Sequence, residues 1–111
     1  MSEMREPTFL ILSALADGPK HGYAIIQDAE SQSGGRVRLQ AGTLYAALDR
    51  LAEEGLVHTA GEEVVGGRRR RYVALTENGA TALQQEAQRQ AANARRALER
   101  LKVAAKPAVA R

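Results

Sequence analysis

Between Thr76 and Ala105 the chain carries no proline, and Ala80, Leu83, Ala87, Ala91, Ala94, Leu98 and Leu101 follow one another at spacings of 3, 4, 4, 3, 4 and 3 residues. Such a line over about three heptads predicts a helix with a narrow apolar seam, built to lie against another helix. Thr76 is placed to cap it, and Glu77 sits in the first turn, where the macrodipole favours an acid. Pro107 stops it. The chain of 111 residues therefore divides into a compact unit over 1–76, a helix over 77–105 and a tail over 106–111 that is expected to be disordered. Leu83, Ala87, Ala91, Ala94, Leu98 and Leu101 are the candidate dimer interface; the alanines allow close approach but bury little area each.

A unit of this size buries only about two-thirds of its unfolded surface, so an intermolecular contact would help it. There is no cysteine, which excludes disulfides, thiolate nucleophiles and cysteine zinc sites. With only Phe9, Tyr23, Tyr45 and Tyr72 as aromatics, the core must be aliphatic. No apolar run approaches a membrane span, and no secretion signal opens the chain; a cytoplasmic protein is expected. The net charge of +3 hides a segregation: residues 1–63 carry five basic and ten acidic side chains, residues 64–111 eleven and three. That pattern suits a polyanion or an acidic partner, although a solvated basic helix gives it too.

Within 1–76 the apolar run Phe9 to Leu15, stopped by Asp17-Gly18-Pro19, predicts a helix over roughly 6–16. Tyr23, Ile25, Ile26 and Ala29 predict a second over 21–32, ended by Ser33-Gly34-Gly35. Arg36 to Leu39 alternates and reads as a short strand. Leu44, Leu48 and Leu51 at i, i+4 and i+7 mark a third helix over Gln40–Glu54, with Gly55 as its stop. Leu56 to Thr59, a polar break over Gly61–Gly67 and then Arg68 to Thr76 predict two short strands of a hairpin. The fold class is mainly α with a small β-hairpin: a winged helix-turn-helix followed by a C-terminal dimerisation helix.

In that arrangement the third helix is the recognition element and the hairpin is the wing. Ala41-Gly42-Thr43 at its start are small enough to let a helix approach a major groove, where free N–H groups and the macrodipole favour phosphate. Thr43 can donate to phosphate or meet a thymine methyl. Tyr45 either bonds phosphate or packs in the core. Arg68, Arg69, Arg70 and Arg71 follow Gly66-Gly67, and alternation along a strand lets two of them face a duplex together; such contacts supply affinity more than readout. Lys20 and His21 open the second helix, as phosphate anchors or, for His21, as a cap. His58 reads as structural. Tyr23 and Arg50 complete the candidate contact set.

The sequence resembles the PadR family of bacterial transcriptional regulators, over about Thr8–Leu101. The resemblance rests on Pro19-Lys20-His21-Gly22-Tyr23, on Gly42-Thr43-Leu44-Tyr45-Ala46-Ala47-Leu48 with Arg50 to Val57, and on Gly67 to Gly79. It departs at Ala46, where the family usually has proline, and at Val73, where it often has an aromatic. The resemblance implies the short branch with a single C-terminal helix, a homodimer built through that helix, and repression of a nearby promoter relieved by an unknown small-molecule effector. Some short members hold planar drugs between aromatics, tryptophan among them, at the dimer interface. This chain has no tryptophan and its last helix no aromatic, so no such stacking pocket is expected.

The leading expectation is a dimeric regulator binding double-stranded DNA at an inverted repeat, with half-sites about one helical turn apart. A winged helix that binds an acidic protein partner is the alternative from another class. A metal-responsive variant would need His21 and His58 to gather with carboxylates, and no ligand spacing supports it. Enzyme chemistry has no foothold, with two histidines, no phosphate-binding glycine loop and no carboxylate pair in an apolar setting. No cofactor and no metal site are expected.

Overall fold

Pro7 lies at the start of α1 (Glu6–Ala14), where its missing N–H costs no helical bond, and Glu6 shares that first turn. The computed structural model describes residues 4–105, so the tail expected at 106–111 lies outside the described residues. Leu10, Ile11, Leu12 and Ala14 of α1 are all buried, as expected of a helix that is apolar nearly all round. After α1 the Lys20 ammonium donates to the Ala14 carbonyl at 2.6 Å and pairs with Asp17 at 2.5 Å, closing the helix end. Lys20–His21 then forms a two-residue strand, β1, and His21 leads directly into α2 (Gly22–Gln32).

α3 (Ala41–Glu53) buries Leu44, Leu48 and Leu51 against α1 and α2. The leucine stripe read from the sequence is the face that packs. The short strand expected at Arg36–Leu39 is absent: the segment begins in a bend at Arg36 and joins no ladder. Its alternation has another origin. Leu39 packs on the core, while Arg36 makes a two-pronged pair with Glu6 and Arg38 reaches Glu30 at 3.5 Å. The Arg36 guanidinium holds the Glu6 carboxyl below its ordinary range.

The sheet has three antiparallel strands in the order β1-β3-β2, with β2 at Val57–Val65 and β3 at Arg68–Leu75. Lys20 pairs with Val73 and His21 with Tyr72. The polar break expected at Gly61–Gly67 is mostly strand, because Gly66-Gly67 alone make the turn, with φ of 57° and 77°. Two consecutive left-handed residues suit a two-residue hairpin, and glycine adopts them without strain. A bulge between Thr59 and Gly61 resets the register, so that Glu62 faces Arg71, Glu63 faces Arg70 and Val65 faces Arg68. Val57 and Val73 are buried at the base; residues 58–71 are exposed.

α4 (Glu77–Ala105) starts as predicted. The Thr76 hydroxyl accepts from the Gly79 N–H at 3.0 Å and donates to the Gly55 carbonyl at 2.6 Å. A Cβ at Gly79 would overlap the Leu56 carbonyl, so only glycine lets α4 lie this close to the α3–β2 corner. Leu83 packs on the core, and Glu86 lies against the body with its carboxylate held by Arg89 and Gln90. Past Ala87 the helix leaves the body: Leu98, Leu101 and Val103 are 67%, 65% and 70% exposed. The molecule is consequently elongated, 69 × 28 × 21 Å. Among the described residues, four helices and a small sheet in this order make a winged helix-turn-helix with an appended helix.

Candidate nucleic-acid interface

The first turn of α3 is bare. Gln40 makes no side-chain cap, so the initial N–H groups of α3 keep their positive ends toward solvent. Ala41, Gly42 and Thr43 are exposed. Gly42 has nothing within 4 Å of where a Cβ would stand, so the fold itself places no demand for glycine there.

Tyr45 follows one turn on, 41% exposed. Its hydroxyl end stands so close to Gly22 that a Cβ there would overlap it, and the Arg71 guanidinium lies 5.8 Å from its ring centroid. Tyr45 is thus partly packed, against Gly22, and partly open. Gly22 explains why glycine opens α2 at this point, which periodicity could not reveal.

The pleat sorts the arginines into two pairs. Arg69 and Arg71 share a face with buried Val73, and Arg71 on that face meets α3; Arg68 and Arg70 share the other with Tyr72. Two arginines per face is the number expected. Two acids missed in the sequence moderate them. Glu62 pairs with Arg69 at 3.7 Å, and Glu63 accepts from the Tyr72 hydroxyl at 2.5 Å, which raises the tyrosine pKa above its ordinary value. Reading Gly66-Gly67 as a two-residue turn would have placed both acids opposite arginines.

The other candidates are dispersed. Tyr23 is 65% exposed in the first turn of α2. His21 accepts the Ala24 N–H at Nδ1 over 3.3 Å, the capping alternative read for it, and meets the Tyr72 ring edge-on at 5.5 Å. Lys20 is committed to Ala14 and Asp17. Arg50 sits toward the far end of α3, donating to the Thr8 hydroxyl at 3.3 Å and pairing with Glu54 at 3.7 Å, so it does not join the N-terminal cluster. His58 lies on β2 as expected, but exposed. Among the described residues no group of three histidines or carboxylates could hold a metal ion. Nor is any helix among them long and apolar enough to cross a membrane.

Residues 11–85 match the Transcriptional regulator PadR-like family. The chain belongs to that family. PadR-like proteins are transcriptional regulators, not enzymes, in keeping with the sequence. The chain is similar to the "Transcriptional regulator YqjI" of Escherichia coli, 35% identical over 80 residues that make up 72% of this chain and 37% of that protein. It is 47% identical over 78 residues, 70% of this chain, to an uncharacterized 37.1 kDa protein in transposon TN4556 of Streptomyces fradiae. The chain thus spans 21% and 37% of the lengths of these two curated relatives. Among solved structures, a PadR family regulator of Clostridium difficile superposes with a TM-score of 0.71 at 25% identity, over 87% of this chain and 99% of that one. Bacillus subtilis PadR, solved in complex with operator DNA, shares the fold with a TM-score of 0.61 at 23% identity, over 69% and 44% of the two chains.

Proposed function

We propose that this PadR-like chain is a dimeric, sequence-specific DNA-binding regulator acting in the cytoplasm, a repressor released by a small-molecule effector. The observation that carries the DNA-binding reading is the uncapped, small-residue start of α3 beside an arginine-rich wing, joined to it at Tyr45 and Arg71. The structure of the related Bacillus subtilis regulator with operator DNA supports the same use of this fold. Residues 1–76 form the DNA-binding unit, with Ala41-Gly42-Thr43 entering the major groove. Tyr23 and the exposed arginines Arg68, Arg69 and Arg70 contact flanking phosphates or the minor groove. Residues 77–105 form the dimerisation helix, whose uncovered Leu98 and Leu101 suit a second copy. That helix carries no aromatic side chain, so an effector stacked between rings at the dimer interface is not expected.

The test is fluorescence anisotropy of a duplex carrying the region upstream of the chain's own gene, beside a scrambled duplex, across salt concentrations. Tighter binding to the native duplex, falling steeply with salt, is expected. Replacing Arg69 and Arg70 by alanine should weaken binding to both duplexes and flatten the salt slope, by about one unit for each phosphate that is no longer neutralised. Absence of salt-dependent binding to either duplex would reject the reading.

A further inference from the structure

Beyond the bulge the hairpin is a lever. Residues 58–71 are all exposed, so nothing apolar ties the outer wing to the body, and the bulge at Thr59/Gly61 interrupts the ladder just where the hairpin leaves it. From Arg71 to the Gly66-Gly67 turn the strand reaches about 15 Å, so a rotation of about 10° at the base moves the tip arginines by about 2–3 Å. An arginine that must meet a phosphate tolerates little of that.

Arg71 lies on the near side of this lever. It shares a face with Val73, and with Leu48, Asp49 and Ala52 of α3 it borders a small cavity of about 50 Å³ between helix and wing. Its guanidinium stands over the Tyr45 ring. Tyr45 in turn cannot retreat toward α2, because its hydroxyl end already fills the space that a Cβ on Gly22 would need. Three residues from three elements are thereby in line: Gly22 at the start of α2, Tyr45 on α3, Arg71 on β3.

We infer that Tyr45 and Arg71 are positioning residues: the tyrosine ring, backed by Gly22, latches the Arg71 guanidinium and sets the angle of the wing against α3. They do this in place of contacting DNA independently. The latch is a property of the free protein, and its consequence for affinity rests on the DNA-binding reading above. An exposed cation–π contact of this kind shifts the docked-to-undocked ratio of the wing by about two- to five-fold.

The test uses the full chain and two readouts. The first is ¹⁵N relaxation of residues 61–70 without DNA. Tyr45→Leu and Arg71→Gln should each raise their mobility, and Tyr45→Phe, which keeps the ring, should leave it as in the wild type. Both altered positions are exposed, and a thermal melt confirms that the variants fold. The second is a double-mutant cycle on affinity for the upstream duplex: Y45L and R71Q should each weaken binding, and the double variant no further than the weaker single one. Unchanged wing mobility in both single variants, or losses that multiply in the double variant, overturns the latch. If the wild type binds neither duplex in a salt-dependent way, the DNA reading falls and the relaxation measurement alone decides the latch.

Discussion

Gly42 occupies the second position of α3, and a Cβ there would meet nothing. Glycine in a helix lowers stability relative to alanine, and no neighbour in this fold repays it. The open space is where an external surface would come. Gly42→Ala should therefore move two measurements in opposite directions. The urea midpoint rises, for a gain of about 0.4–1 kcal/mol, because the unfolded chain loses freedom. Affinity for the upstream duplex falls, because a methyl group stands between helix and groove. A variant that gains stability and keeps its affinity would show that α3 does not make this close approach. The leucines of α3 were legible from spacing alone. The reason for Gly22 was not: it lies in an approach to Tyr45, 23 residues further along the chain, and no local pattern records that distance.

At the scale of elements, α4 has two halves with different supports. Its first half is tied down by the Thr76 cap, the contact of Gly79 on Leu56, and Leu83 on the core. Glu86 closes that half, its carboxyl held below the ordinary glutamate value chiefly by the hydrogen bond from Arg89, with Gln90 adding to it. A depressed carboxylate pKa contributes stability that is fully present above the unfolded value and is lost as pH falls through the folded one. The stability contributed by Glu86, followed through unfolding monitored by circular dichroism across pH, should accordingly be lost progressively as pH falls from the ordinary glutamate range through the lower folded value. Glu86→Gln, which cannot titrate, should flatten that part of the stability–pH curve and leave the neutral-pH side sloping as before. Identical curves for the two proteins would mean that the Glu86–Arg89 pair does not act in solution. The start of α4 was readable because a cap and a first-turn acid are neighbours in sequence. The strand at Lys20–His21 was not, since two residues carry no periodicity and the pairing is chosen by β3. The alternation at Arg36–Leu39 suggested a strand in the wrong place for the converse reason: Leu39 turns inward to pack on the core, with no strand beside it to pair with.

For the whole molecule, the elongated shape leaves Leu98, Leu101 and Val103 uncovered on a helix that has left its own domain. Leu98 and Leu101, one turn apart on a projecting helix, are an expected contact surface, while Val103 lies on another face. Replacing Leu98 and Leu101 together by glutamate should turn a dimer into a monomer in sedimentation velocity without loss of the folded 1–76 unit. Duplex affinity should fall by more than tenfold, since two half-sites are then bound without their link. A variant that sediments as the wild type does would remove these leucines from the interface. The division of labour follows the range of the forces involved. Helix periodicity, caps, stop signals and the charge imbalance act between residues a turn apart, so the sequence by itself determined the three helices of the first unit, the long fourth helix, and the family to which the chain belongs. Sheet pairing, the long projecting wing, the acids set against its arginines and the Gly22–Tyr45–Arg71 alignment depend on which distant backbones meet. Only the tertiary structure decided these, because close packing and cross-strand register are fixed by neighbours in space that the order of residues does not name.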